Sequence, residues 1–94
     1  MNTPDIFFDP LPSSFERIGV KITGGYAMIK DGLLPRPVHI GRSSRLPRHE
    51  VIAVAAARMS GATDDEIRAL VTELMNNRES IAKYWRTAAT AAAT

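Results

Sequence analysis

Residues 19–48 read GVKITGGYAMIKDGLLPRPVHIGRSSRLPR, and the architecture of the chain follows from this segment. After a turn at residues 20–21, the segment predicts a helix over residues 23–30. Asp31 and Gly32 end this helix, because glycine readily adopts the left-handed conformation found just beyond many helix C-termini.

The second part of the segment predicts a small β-hairpin. Residues 33–37 hold two prolines and form a rigid, extended connector. Residues 38–40 alternate with the period of two that is typical of a strand, residues 41–44 form the turn, and residues 45–47 form the return strand. Pro47 has no backbone N–H, which places it at a sheet edge or a strand end. Because a two-stranded ribbon is marginally stable, the hairpin is expected to pack against the helices.

Two glycines lie early in the predicted helix. Gly24 and Gly25 each cost about 1 kcal/mol relative to alanine inside a helix. Either they lie in a frayed first turn, or they remove side chains so that the backbone approaches another group closely. The sequence leaves both interpretations open.

The residues before the segment predict an arm and a short helix. Residues 1–12 contain three prolines and the apolar patch 6–8, which is either tucked on the core or available to a neighbouring molecule. Residues 13–16 fit the capping box S-x-x-E, so a helix is predicted over 14–18, with Gly19 as its stop.

The residues after the segment predict two further helices. The third covers residues 49–58, and residues 60–62 break it. Residues 63–66 form a second capping box, T-x-x-E, which begins a fourth, amphipathic helix. Residues 87–94 are low in complexity and are expected to be disordered.

The apolar stripe of the fourth helix must be buried, either on its own domain or on a neighbouring protomer. The residues predicted to serve oligomerisation are Leu70, Leu74, Met75, Ile81 and Trp85.

Composition fits one small intracellular domain. The chain has 94 residues, 45% of them hydrophobic but only 6% aromatic, so the expected core is aliphatic and modest. The absence of cysteine excludes a disulfide framework and a thiolate metal site. No signal peptide and no membrane span are predicted, which indicates a cytoplasmic protein.

Chemistry in the sequence favours binding over catalysis. No metal-binding histidine spacing and no phosphate-binding glycine motif occurs, so neither an enzyme nor a cofactor nor a metal is predicted. Residues 15–50 carry seven Lys and Arg against three Asp and Glu, although the net charge of the chain is only +2. Such local clustering of positive charge is what a surface for a polyanion needs.

The helix and the hairpin together predict a DNA-binding unit. Arginine binds phosphate through two parallel hydrogen bonds, and hydroxyl groups add phosphate contacts. Tyr26 either reaches DNA with its hydroxyl or packs its ring on the core. The predicted DNA-binding residues are Lys21, Thr23, Gly24, Gly25, Tyr26, Lys30, Arg36, Arg42, Ser43, Ser44, Arg45 and Arg48.

Residues 19–32, GVKITGGYAMIKDG, resemble the turn and recognition helix of the AlpA-like and excisionase group of MerR-like winged helix-turn-helix proteins. The resemblance continues in register through the proline connector, Val-His-Ile-Gly at 38–41, Arg45 and His-Glu-Val at 49–51, and it covers about residues 13–58. Lys-Ile-Thr-Gly-Gly at 21–25 departs from the usual serine, base and hydroxyls of the group. This departure favours backbone contact, shape readout and binding by several copies.

The resemblance implies a mainly α fold with a small β-hairpin, and a winged helix-turn-helix over 13–60. The second capping box and the apolar stripe add an extra C-terminal amphipathic helix over 61–86. The resemblance also implies an excisionase, or recombination directionality factor, of a phage or mobile element. Such a protein associates with itself on double-stranded DNA near an attachment site, bends the DNA, and has a site-specific integrase as partner. The location implied is the bacterial nucleoid. An AlpA-type transcriptional regulator, and a protein-interaction adaptor that uses helix 64–85, are the alternatives.

Overall fold

The computed structural model of the protein describes residues 6–93, except for the side chains of 84, 85 and 89–93. The described chain is mainly helical and includes a small three-stranded antiparallel sheet. Its elements are β1 (Phe8–Pro10), α1 (Leu11–Arg17), α2 (Ile22–Lys30), β2 (Val38–Ile40), β3 (Ser43–Pro47), α3 (Arg48–Met59) and α4 (Asp64–Ala93).

The sheet has one strand more than the sequence predicted. Its order is β1-β3-β2, with Asp9 opposite Leu46 and Val38 opposite Arg45. β1 therefore lies inside the segment interpreted as an arm. Pro47 lies at the end of β3, as expected, but β3 is the central strand.

The hairpin turn is shorter than predicted. Ser43 and Ser44 belong to β3, and Ile40 pairs with Ser43, so the loop contains only Gly41 and Arg42. Gly41 has a φ of +61°. Glycine with positive φ at the first of two loop positions is the pattern of a type II′ turn, which matches the twist of the flanking strands.

The first helix begins earlier than predicted. α1 starts at Leu11, directly after Pro10, and no side chain caps its first turn, so the capping box at residues 13–16 was wrong. Proline is favoured in the first turn because the N–H it lacks has no helical acceptor there. Ser14 is buried and donates its hydroxyl to the carbonyl of Pro10 at 3.1 Å. Gly19, with φ +74°, ends the helix as expected.

The other helix boundaries follow the sequence closely. α2 ends at Lys30 with Gly32 at φ +77°, as predicted, and α3 begins one residue before and ends one residue after the predicted helix. At the start of α4, the Thr63 N–H donates to Glu66 Oε1 at 2.9 Å and the Glu66 N–H donates to Thr63 Oγ1 at 3.2 Å. The capping box is thereby confirmed, and the Thr63 N–H lowers the pKa of Glu66.

The fourth helix differs from the sequence prediction at its end. α4 continues to Ala93, where a disordered tail was predicted from residue 87 onward. Alanine has the highest helix propensity of all residues, which accounts for the continuation through an Ala- and Thr-rich sequence. No helix within the described residues is both long and apolar enough to cross a membrane.

The core is aliphatic apart from one phenylalanine. It draws on α1, the connector after α2, β3, α3 and the first two turns of α4. Its buried side chains are Leu11, Phe15, Leu34, Leu46, Val51, Val54, Ile67 and Val71. α2 adds only the partly buried Met28 and Ile29 to this cluster. The helix therefore lies on the outside of the core and leaves one long face uncovered.

Two ion pairs join elements that lie far apart in the sequence. Glu50 is 0% exposed and binds Arg78 through two hydrogen bonds of 2.6 and 2.9 Å, which join α3 to α4. Asp9 accepts two hydrogen bonds of 2.9 Å from Arg48, which join β1 to the start of α3. The hydrogen bond from Arg48 lowers the pKa of Asp9 below its ordinary value.

Candidate nucleic-acid interface

α2 is held against α1 by a very close approach of backbone to ring. Gly25 is buried, and a Cβ atom built there would lie 2.3 Å from Cγ of Phe15 and 2.4 Å from both Cδ atoms. One residue on, the Tyr26 ring meets the Phe15 ring edge to face, with centroids 5.4 Å apart. Gly25 therefore removes a side chain so that the helix can contact Phe15.

Gly24 has a different environment. It is exposed, and the nearest atom to an added Cβ would be Cβ of Val20 at 3.8 Å. Both glycines lie inside α2, which starts at Ile22, and the Gly25 N–H donates to the Lys21 carbonyl at 2.8 Å. The first turn is thus hydrogen-bonded. Of the two open interpretations, close approach applies to Gly25, and its partner is Phe15.

The uncovered side of α2 forms one continuous face, called here the α2 face. Its residues recur at the spacing of a helix surface and are all exposed: Ile22, Thr23, Tyr26, Ala27 and Lys30. Tyr26 combines the two predicted roles, since its ring packs on Phe15 while 53% of the residue stays exposed. The α2 face itself contains no acidic side chain, while the exposed Glu16 of α1 borders it in the same surface depression as Ile22 and Thr23.

Four exposed cations belong to the segments predicted to bind DNA. Lys21 lies at the N-cap of α2, Lys30 ends the helix, Arg36 lies in the connector, and Arg42 lies at the tip of the hairpin. All four are exposed, and none has an ion pair or a side-chain hydrogen bond within the described part of the chain. Their hydrogen-bonding groups are thus available to an external anion.

The remaining predicted hairpin residues are more constrained. Arg45 lies in β3 away from the tip and donates to the Phe8 carbonyl at 3.4 Å. Ser44 hydrogen-bonds His39 Nδ1 at 3.2 Å across the hairpin, whereas Ser43 is exposed.

Arg48 was predicted to bind DNA, but the structure gives it an intramolecular partner. Its guanidinium binds Asp9 and also lies 5.2 Å from the centroid of the Phe7 ring. Its charge is therefore largely compensated within the protein. Of the cations predicted to bind DNA, Arg48 is the least available for that contact. Sequence reasoning missed Asp9, since no local pattern links it to a residue 39 positions away.

The residues predicted for oligomerisation divide into two groups. Leu70, Leu74 and Met75 are partly buried against the protein's own core. Ile81 lies farther along α4 and lines a groove of about 400 Å³ together with Val38 and Pro47. The Trp85 side chain lies outside the described residues. The first part of α4 thus packs against the core of its own chain.

No group of three or more His, Cys, Asp and Glu side chains placed to hold a metal ion occurs within the described residues. No family model, curated protein or solved structure matches the chain. The functional argument therefore rests on the α2 face, the hairpin and their charges.

Proposed function

We propose that this protein binds double-stranded DNA as a winged helix-turn-helix factor. In this proposal α2 enters the major groove and the hairpin of β2 and β3 contacts the adjacent backbone. The observation that carries the proposal is the α2 face, which is free of acids and has unpaired cations at both ends.

Dimensions support this placement. A helix of nine residues such as α2 is about 13 Å long, and the major groove is about 12 Å wide. Lys21 and Lys30 would then lie near phosphates on opposite sides of the groove. In this proposal Arg42, which lies at the tip of a tight two-residue turn, contacts the next stretch of backbone or the minor groove.

Within this class, we propose the role of an excisionase of a phage or mobile element. The α2 helix has no Arg, Asn or Gln, the side chains that most often bind bases through two hydrogen bonds. A single copy is then expected to be weakly selective, and several copies side by side would supply the specificity and bend the DNA. An AlpA-type regulator presents the same DNA-binding surface and differs in stoichiometry and in its effect on an integrase.

The first experiment is a DNA titration at several salt concentrations with duplexes of increasing length. Affinity that falls steeply with salt is expected, because binding releases about 0.9 counterion per phosphate contacted. Stepwise growth of the complex with duplex length, and stimulation of integrase-mediated excision, would favour the excisionase role. One discrete complex without effect on the integrase would favour the regulator.

A variant pair sharpens this test. Arg42→Ala combined with Arg45→Ala is expected to lower DNA affinity at least about tenfold, because hydrogen bonds to charged groups each contribute roughly 1.5–3 kcal/mol. Lys83→Ala removes an exposed base from α4 and is the matched control, with no effect expected. Unchanged affinity in the double variant would remove the hairpin from the interface. If the wild type fails to bind DNA at low salt, the proposal is wrong and the adaptor function takes its place.

A further inference from the structure

The α2 face is unusual in its chemistry for a helix that reads bases. Ile22 is 56% exposed although it is fully apolar, and Thr23 and Ala27 next to it are exposed as well. Gly24 adds no side chain at all. The part of the face nearest the helix N-terminus therefore presents methyl groups, with the Thr23 hydroxyl as its one side-chain hydrogen-bonding group.

None of these apolar groups belongs to the core cluster of the described residues. The inward side of α2 is formed by Gly25, Met28 and Ile29. Ile22 borders that side and shares a surface depression with Val20, but more than half of the residue stays exposed. An isolated exposed isoleucine is ordinary on a protein surface. Here it is combined with Thr23 and Ala27, which lie one turn apart, on a helix with Lys21 and Lys30 at its two ends. That combination favours an apolar contact on a polyanion.

Double-stranded DNA offers one apolar group in its major groove. The C5 methyl of thymine projects there, and alanine and the threonine methyl group are among its common contacts. We infer that α2 recognises thymine methyl groups through Ile22, Thr23 and Ala27, so that the protein selects A·T-containing sites by apolar contact. This inference rests on the proposed DNA-binding function and specifies what its recognition helix reads.

The test replaces thymine by deoxyuridine, which removes the methyl group and keeps base pairing. A preferred site is first selected from a random duplex library, and the same duplex is then prepared with thymine or with deoxyuridine. Each contacted methyl is expected to contribute about fourfold in affinity, which corresponds to about 0.8 kcal/mol per buried carbon. Two such contacts give a preference of about 15-fold for the thymine duplex.

Two variants assign the effect to the α2 face. Ile22→Ala combined with Thr23→Ser removes apolar groups and keeps the helix and the hydroxyl, so the preference for thymine is expected to fall to about fourfold or less. Arg42→Ala is the matched control, since it should weaken binding to both duplexes and leave their affinity ratio unchanged.

The possible outcomes distinguish thymine-methyl recognition from DNA binding as such. Tight binding to both duplexes with equal affinity would refute methyl recognition and leave DNA binding intact. A preference for thymine that survives in the Ile22→Ala/Thr23→Ser variant would show that the methyl acts through DNA shape, which also overturns the inference. Binding to neither duplex at low salt would refute the DNA-binding function itself.

Discussion

Adding one methyl group at two adjacent glycines of α2 should change stability in opposite directions. A methyl at position 25 would lie 2.3 Å from Cγ of Phe15, whereas at position 24 its nearest neighbour is Val20 Cβ at 3.8 Å. Carbon atoms in favourable contact are about 3.5–4.0 Å apart. Gly25→Ala therefore demands a shift of more than about 1 Å, while Gly24→Ala demands none.

The magnitude follows from the position of Phe15. This ring is 1% exposed and belongs to the core, so moving it disturbs its neighbours there. Overpacking a core costs about 1–3 kcal/mol, and the severity of the overlap places Gly25→Ala at the upper end. Replacing glycine by alanine in a helix raises the free energy of unfolding by about 1 kcal/mol. The expected free energy of unfolding is thus about 2 kcal/mol lower for Gly25→Ala and about 1 kcal/mol higher for Gly24→Ala.

Urea and thermal denaturation, followed by far-UV circular dichroism, measure both variants. For a domain of this size about 1 kcal/mol corresponds to a Tm shift of about 4–8 °C, so the two variants should differ clearly. A double-mutant cycle adds a second test, since Phe15→Leu makes room for the methyl and should be less harmful in the Gly25→Ala background than alone. Equal stability of Gly24→Ala and Gly25→Ala would refute the packing argument.

Three further predictions concern two ion pairs and one helix cap that stabilise the fold. Arg78→Met should lower the free energy of unfolding by about 3–5 kcal/mol, because it leaves the buried Glu50 carboxylate without its partner. Replacing Glu50 by Met as well should recover most of that loss, as measured by urea denaturation. Asp9→Asn should flatten the acid limb of the stability–pH profile. Because hydrogen bonding from Arg48 lowers the folded-state pKa of Asp9, the stability from this pair is complete above the unfolded pKa of about 3.9 and is lost as pH falls through the lower folded value; an unchanged profile would contradict this. Thr63→Ala should lower the free energy of unfolding by about 1 kcal/mol, because the N-cap of α4 is lost. An unchanged Tm would argue against the cap.

Features set by neighbouring residues could be predicted from the sequence. The end of α2 and the capping box of α4 depend on groups that lie close together in the sequence, and the strand at residues 38–40 pairs with residues three to seven positions along the chain. In the same way, the sequence placed Lys21 and Lys30 at the ends of one helix, where the structure has them. Local hydrogen bonding and glycine conformation are enough for such predictions.

Features set by distant residues could not be predicted. β1 is three residues long and includes a proline, so it has no periodicity, and its pairing with β3 depends on partners 35 or more positions away. The buried Glu50 depends on Arg78, which lies 28 positions along the chain. The capping box at residues 13–16 failed for a local reason, since Pro12 favours the first turn and starts α1 one turn earlier.

The way in which α2 is attached links stability to the proposed function. The core closes without a large side chain from α2, whose only buried residue is Gly25. The helix is held by the contacts of Gly25 and Tyr26 with Phe15 and by two partly buried side chains, which leaves its opposite side open. A helix that supplied a full apolar stripe to the core would offer a narrower face. The same glycine that lets α2 lie close to α1 therefore exposes the residues proposed to read DNA, and Gly25→Ala should disturb DNA affinity even at temperatures where the variant remains folded.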